Sequence, residues 1–277
     1  MASPQPPLIA QIRSHAPTMT RALERVAIFV LNDPQAVLYK SITELADEAK
    51  SSEASVMRFC RELGFTGFQT FKLALAQEVA TQQQASNSAS GDVVHDLVET
   101  ARIALDETDR LLDRSVINDV SAALLKARHI EIFGVAASAI TAQYLEYKLA
   151  RLGLQAHCPR DPHLATMAAA TAGPTDVFVL VSSSGSTLDT LRVAQSAHSS
   201  GAHVVGITNR TKSPLAAVCR SVLLASWPET PLTGGAFPSK ISQLLIVDAL
   251  ASAITLIDPS RLELIAQTAL SVTDRNV

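Results

Sequence analysis

The sequence is poor in aromatic residues, poor in cysteine and has no excess of positive charge. Aromatics make up 4% of the 277 residues, whereas 47% are hydrophobic. The core must therefore be built from Ala, Leu, Val and Ile, which suits packed helices and a buried parallel sheet. So much apolar side chain also excludes a disordered chain, which could not offset its ordering entropy. The three cysteines, Cys60, Cys158 and Cys219, are far apart and form no CxxC pair. A disulfide framework or a zinc site is not expected; buried free thiols in a reducing compartment are. Basic residues number 23 against 26 acidic, a net charge of −3. The first 80 residues hold eight of each sign. Bulk charge thus gives no help to a nucleic-acid reading, which must rest on where the cations sit. The start, MASPQPPLIAQIRSHAP, lacks the charged and apolar segments of a signal peptide. No apolar stretch approaches the roughly 20 residues of a membrane span. The expectation is a cytoplasmic protein with no membrane partner.

The chain is long for one ordinary domain and comfortable for two. From Thr20 to Ala80 it reads as short helices with frequent polar punctuation. Then comes TQQQASNSASG, Thr81 to Gly91, uncharged and without an apolar face, which reads as a linker. From Asp92 onward, amphipathic helices alternate with short apolar runs. The runs are HIEIFG (129–134), DVFVLVS (176–182), HVVGIT (203–208) and SVLLAS (221–226). Each has the length and residue types of a buried strand. The alternation predicts βαβ units, hence an α/β domain with a parallel sheet between helices, preceded by an all-α domain. The expected boundaries are 1–80, a linker at 81–91, and 92–277.

In the first segment, SITELADEAKSSEASVMRFCRELGF (41–65) carries two short helices joined by a tight polar turn. Ser41 or Thr43 can cap the first, whose inward positions include Leu45, Ala46 and Ala49. Lys50-Ser51-Ser52 breaks the run. The second helix places Ala54, Val56, Phe59, Cys60 and Leu63 on one side and ends at Gly64. This is the helix-turn-helix arrangement, in which the start of the second helix meets base edges in the major groove. The candidate DNA-contacting residues are Ser51, Ser52, Glu53, Ser55, Arg58, Arg61 and Lys72. Arg58 has the fork to read a guanine. Arg61 and Lys72 suit phosphates.

The string SSEASVMRFCRELGFTGFQTFK resembles the N-terminal domain of the RpiR family of bacterial regulators. The shared positions are Ser52, Ser55-Val56, Arg58-Phe59-Cys60, Leu63-Gly64, Gly67-Phe68 and Phe71-Lys72. The family often has Thr where this chain has Ser55, which keeps the hydroxyl.

Two loops in the second segment suit an anion. In FGVAASAITAQYLEYKLARLG (133–153) a strand runs through small residues into a helix, with Ser138 near its start. In VLVSSSGSTLDTLRVAQ (179–195) a strand delivers Ser182, Ser183, Ser184, Gly185, Ser186 and Thr187 onto a helix. A phosphate needs several fixed donors without a competing carboxylate, and this loop offers backbone N–H groups and hydroxyls. The pair of loops resembles the SIS (sugar isomerase) domain, whose Ser-x-Ser-Gly-x-Thr loop binds the phosphate of a phosphosugar. Ser182, Ser184, Gly185 and Thr187 match that motif, with Ser183 between them. Ser138 matches the first-loop serine, and Ala136 stands where the family usually has a second glycine. GGAFPSKISQLLIVDAL (234–250) resembles the segment that closes the site in RpiR regulators, where Ser-Arg is common instead of Ser239-Lys240. Lys240 keeps the charge and loses the bidentate fork.

The resemblance implies a transcriptional regulator, not an enzyme, that binds double-stranded operator DNA and a phosphosugar effector as a homodimer or homotetramer. It implies no cofactor, metal or catalytic set. The alternative is a phosphosugar isomerase or other SIS-domain enzyme, which needs a base beside a carbonyl. Glu229, His163 and Glu146 are the candidates.

Overall fold

The computed structural model describes residues 7–84, 92–227 and 229–272. The chain divides into two compact units. One comprises Met1–Asp96 with Glu229–Gly234, the other Leu97–Pro228 with Gly235–Val277.

The first unit is helical. It contains α1 (Leu8–His15), α2 (Arg21–Asn32), α3 (Pro34–Leu38), α4 (Ile42–Glu48), α5 (Glu53–Glu62) and α6 (Phe68–Gln84). Helix α2 buries Leu23, Val26, Ala27 and Val30, an i, i+3, i+4, i+7 stripe that faces the core. Half of the twelve aromatics lie here. Phe59 and Phe65 meet Phe71 edge-on, with centroids 5.4 and 5.6 Å apart. Helix α1 was not anticipated. It lies before the expected start of structure at Thr20, yet Leu8 and Ile12 join the same core. Of the expected linker, residues 81–84 complete α6, and 85–91 lie outside the described residues.

In the second unit, α7 (Val93–Leu111) and α8 (Arg114–Lys126) lead into an alternating β/α run. It comprises β1 (His129–Gly134), α9 (Ala137–Arg151), β2 (Ala156–His157), α10 (Pro162–Ala170), β3 (Asp176–Val181), α11 (Leu188–Ser199), β4 (His203–Thr208), α12 (Pro214–Val218) and β5 (Ser221–Leu224). Helices α13 (Phe237–Ile257) and α14 (Arg261–Leu270) follow. All neighbouring strands pair in parallel, in the order β2-β1-β3-β4-β5. The four anticipated strands are present; β2, two residues at the edge, is too short to leave an apolar run. One face of the sheet packs on α8, α9 and α13 through Val120, Leu145, Leu149, Ile246 and Leu250. The other packs on α10 and α11 through Ala165, Ala169, Val193, Ala194 and Ala197.

Helix α13 overturns the expectation that no apolar stretch nears membrane-spanning length. It has 21 residues and a mean hydropathy of 1.6 over its most apolar stretch. Its apolar character extends around the helix because α8 and α9 both pack on it. Ile246, Val247, Leu250 and Ile254 lie in the sheet core, and a helix packed on several sides is hydrophobic around more of its circumference than a surface helix.

Candidate functional site

The strand order places a switch point between β1 and β3. The chain leaves β1 for β2 on one side, then crosses back to β3 on the other. In open α/β sheets, ligands bind outside the carboxyl ends of strands at such a point. The β1–α9 and β3–α11 loops flank it, and these are the two loops singled out by their small residues and hydroxyls.

Both loops feed helices whose starts lack a side-chain cap. Neither Ala136 before α9 nor Thr187 before α11 offers a side chain that accepts a hydrogen bond from the first turn. Ala236 leaves α13 equally uncapped. By contrast, Asp113, Asp161 and Ser213 cap α8, α10 and α12. The first N–H groups of a helix need an acceptor, and an anion satisfies them while complementing the dipole.

The Ser182–Thr187 loop is closed on itself. Ser182 Oγ accepts from Gly185 N at 3.1 Å and shares a 3.1 Å hydrogen bond with Thr187 Oγ1. Ser184 Oγ accepts from Ser186 N at 3.2 Å and is exposed. Gly185 sits at φ +61°, and a Cβ there would fall 2.2 Å from Ser213 Oγ. Only glycine lets the loop lie against the α12 cap. In the first loop, a Cβ on Gly134 would fall 2.8 Å from the Ser138 carbonyl oxygen. Ser138 is half-buried in the first turn of α9.

Behind the loop runs a buried polar chain. Ser183 Oγ accepts from Lys240 Nζ at 3.0 Å and from Gln243 Nε2 at 2.9 Å. Gln243 Oε1 accepts from Lys240 Nζ at 2.9 Å and from Thr141 Oγ1 at 3.0 Å. Gln243 Nε2 also donates to Asn209 Oδ1 at 2.7 Å. Asn209 Nδ2 reaches the Ser226 and Trp227 carbonyls and Ser239 Oγ. Two of the sequence-derived residues are thereby reassigned. The Ser183 hydroxyl is turned toward α13, and Ser239 is fully buried as an acceptor for Asn209. Both hydroxyls are engaged inside the protein. Gln243, Asn209 and Thr141 escaped the sequence reading. Asn209 directly follows β4 and Gln243 follows Lys240 by three, but single polar residues beside apolar runs carry no signal of mutual contact.

A cavity of about 470 Å³ opens beside the first loop. Its walls include Gly134, Val135, Ala136, Gln143, Arg160 and Asp189. Its size falls in the range of small-molecule sites. Among the described residues, no group of three or more His, Cys, Asp or Glu is arranged to hold a metal ion. All three cysteines are free thiols, and only Cys60 is fully buried. Burial pushes Cys60 and Cys219 up to about 12 and Cys158 to about 11, so none is a ready nucleophile.

In the first unit, α4 and α5 form the expected helix pair. Ser41, not Thr43, caps α4 in a reciprocal box with Glu44, and Ser52 caps α5 through Ser55 N. Gly64 follows α5 at φ +87°. Ser52, Glu53, Arg58 and Arg61 are exposed. Ala54, expected inward, is also exposed and lines up with Arg58 and Arg61 at i+4 and i+7. Thr43 Oγ1 donates to Glu53 Oε1 at 2.5 Å. Ser51 is half-buried, its hydroxyl on the Ala22 carbonyl. Two expectations fail. Ser55 is buried, with its Oγ near Ser52 Oγ and Arg58 Nη2. Lys72 is also buried. Its Nζ donates to the Lys40 carbonyl at 2.9 Å and lies 5.4 Å from the Phe68 ring centroid. It ties helices together and is not placed for a DNA phosphate.

A helix pair with a cation-bearing outer face, joined to a parallel-sheet domain with an anion-suited switch point, defines the class: a helix-turn-helix protein with an α/β domain of the kind that binds small anionic ligands. Comparison with known proteins gives the family. Residues 7–82 match the helix-turn-helix domain of the rpiR family, and residues 123–253 match the SIS domain. The HTH-type transcriptional regulator HexR of Pseudomonas aeruginosa is 34% identical over 255 residues, covering 90% of this chain and 89% of the relative. The solved structure of the Vibrio vulnificus NanR protein complexed with ManNAc-6P is 34% identical, with a TM-score of 0.92 over 98% of this chain and 99% of that one. A sugar isomerase domain of an RpiR transcription factor from Sphaerobacter thermophilus shares the fold, at 22% identity and a TM-score of 0.57, over 64% of this chain and 98% of that one. The chain belongs to the rpiR family of helix-turn-helix transcriptional regulators with a SIS domain.

Proposed function

We propose that this regulator binds operator DNA through α5 and releases or tightens that grip when a phosphorylated sugar or sugar acid occupies the SIS domain. The observation that carries the effector half is the pair of uncapped helix starts, α9 and α11, at the switch point. Ser138, Ser184, Thr187 and the Ser182–Gly185 backbone would supply the donors for the phosphate. Lys240 would add positive charge from behind the loop while holding Ser183. The cavity beside Ala136 would take the sugar body. NanR, bound to ManNAc-6P, supports a phosphosugar as the ligand class. On the DNA side, Ser52, Glu53, Ala54, Arg58 and Arg61 form the reading face, with Ser51 anchoring its start.

The proposed boundaries are a DNA-binding domain at 1–80, a linker at 81–91 and a SIS domain at 92–277. The working form is a cytoplasmic homodimer or homotetramer, which would present paired readers to half-sites about one helical turn apart. An isomerase reading finds less support. The Glu146 carboxylate is engaged by Cys158 N at 2.9 Å. His163 is exposed in the first turn of α10, and Glu229 belongs to the first unit. The HexR relative is named a transcriptional regulator, while a relative from Burkholderia orbicola, 33% identical, is named a bifunctional protein glk.

The test is a gel shift on the DNA upstream of the chain's own reading frame, with and without a panel of sugar phosphates. Ser184→Ala is expected to keep DNA binding and lose the effector response. A full response in that variant would remove the loop from the effector site.

A further inference from the structure

We propose that Arg21, Arg25 and Lys50 form a second DNA-contacting surface, one that holds backbone phosphates beside the groove α5 enters. The inference rests on the DNA reading above and extends it from base edges to the backbone. Its structural anchor is the 3.2 Å hydrogen bond from Ser51 Oγ to the Ala22 carbonyl. This bond ties the turn before α5 to the first turn of α2. Arg21 and Lys50 are the chain neighbours of the two bonded residues. Arg25 follows Arg21 by one helical turn, on the side of α2 opposite its buried stripe. All three side chains are exposed. Among the described residues, none of them lies in an ion pair.

Three of the nearby acids are engaged elsewhere. Glu44 accepts from Ser41 N at 2.7 Å, Glu48 pairs with Lys40 at 2.6 Å, and Glu53 accepts from Thr43. Glu24, half-buried between Arg21 and Arg25 in sequence, is the remaining carboxylate of the α2 start. The eight-to-eight charge balance of the first 80 residues thus hides an uneven placement. Glu44, Glu48 and Glu53 are engaged at the helix pair, Asp47 and Glu62 are exposed on α4 and α5, and cations stand exposed at the α2–α5 corner and on the α5 stripe. Lys50 adds a backbone argument. It sits at φ +50°, a left-handed position where glycine or asparagine is the ordinary choice. A lysine held there at conformational cost sets its charge on the outside of the turn. Flexible point charges flanking a recognition helix suit phosphates, which position the protein and read no sequence.

The experiment is a salt titration of DNA binding by the full chain, followed by fluorescence anisotropy. Two duplexes are used: the upstream DNA and a random-sequence duplex. Each phosphate contact contributes about 0.9 to the slope of log K against log salt, or roughly 5-fold in affinity at 0.15 M. The Arg21→Ala/Arg25→Ala/Lys50→Ala variant is expected to lose about 2 to 3 in slope and on the order of 100-fold in affinity. The loss should be equal on both duplexes, so the preference for upstream DNA stays. The charge-conserving Arg21→Lys/Arg25→Lys/Lys50→Arg variant should bind with the wild-type slope. An unchanged slope in the alanine variant overturns the proposal. So does a loss confined to one duplex, or an equal loss in the charge-conserving variant with an intact melting transition. If the wild-type chain binds neither duplex, the DNA reading itself falls; if it binds and only the slope is unmoved, the reading stands without this surface.

Discussion

Ala136 offers a sharp test of the loop geometry because its backbone is placed where a side chain does not belong. It sits at φ +53°, ψ −124°, immediately before α9. For a residue with a Cβ, such a conformation costs on the order of 1–3 kcal/mol. Ala136→Gly removes that cost. Against it stands the extra freedom glycine gives the unfolded chain, about 0.4–1 kcal/mol. The methyl is exposed, so its loss removes little packing. The net expectation is a stabilisation of about 1 kcal/mol, which for a unit of this size raises the melting temperature by about 2–4 °C. Gly134→Ala, two residues earlier, has the opposite sign. Its Cβ would lie 2.8 Å from the Ser138 carbonyl oxygen and 2.9 Å from the carbonyl carbon. Backbone cannot swing aside as a side chain does, so overpacking of about 1–3 kcal/mol is expected. Thermal unfolding by circular dichroism measures both. An Ala136→Gly variant that melts at or below the parent temperature, or a neutral Gly134→Ala, would refute the account of this loop.

Three further outcomes follow from contacts already described. Lys72→Met strips the Lys40 carbonyl of its donor and is expected to cost about 1–3 kcal/mol in a denaturant melt; the salt slope of DNA binding should not move, and a lower slope would return Lys72 to the DNA surface. Arg58→Ala is expected to weaken operator binding by about 1–3 kcal/mol and relax preference at one base pair, and normal affinity in a titration would take Arg58 off the reading face. The Arg128 guanidinium, with 3.0 and 2.7 Å bonds, holds the Asp176 carboxyl below its ordinary value, with Gly173 N assisting at 2.8 Å. A depressed carboxylate stabilises the fold above its unfolded-state value and loses that contribution as pH falls through its folded value. Asp176→Asn should therefore cost about 1 kcal/mol near pH 7, discounted because Arg128 is largely exposed. The deficit should shrink below about pH 4; a deficit that persists in acid would assign the effect to packing.

Legibility in the sequence followed the length and repetition of each signal. The anticipated strands β3, β4 and β5 lie in runs of four or five consecutive apolar or β-branched residues, and β1 sets Ile130, Ile132 and Phe133 around a single Glu131, enough to stand out from their flanks. Two residues at β2 are not. Helix α1 was hidden because Leu8, Ile9 and Ile12 look like an ordinary tail until the core they enter is known. On α5, the sequence order of small and charged residues located the reader but did not resolve its faces. Ser55 and Ala54 exchanged sides, because the helix enters the core rotated so that Ser55 rather than Ala54 points inward. Lys72 shows the deeper limit. A lysine in a polar stretch reads as solvated, and only tertiary structure reveals the backbone carbonyl of Lys40 waiting for it. The site loops were legible because a run of small hydroxyl residues after a strand is unusual in composition. Their support was not, since Gln243, Asn209 and Thr141 come from three separate elements and meet only in the fold.

Among the described residues, three non-glycine positions have positive φ: Lys50, Ala136 and Trp227. Each borders one of the features assigned above. Lys50 forms the turn into α5. Ala136 closes the first ligand loop. Trp227 presents its carbonyl to Asn209 Nδ2 at 3.1 Å, at the end of the chain that runs back to Ser183. Such conformations persist only where the surroundings over-determine them. The surroundings differ in kind. At Lys50 the turn is pinned by Ser51 on Ala22 and by the cap of Ser52. At Ala136 it is pinned by the bonds from Ser138 N to the Val135 carbonyl and from Ala139 N to the Ala136 carbonyl, and at Trp227 by the bonds that hold Ser226 to Thr108 and Glu107. The strain therefore is not a shared property of loops in this chain. It collects where a helix or strand end borders one of the two proposed sites, and rigid neighbours hold the backbone there. The α8 and α12 starts, by contrast, relax into ordinary side-chain caps.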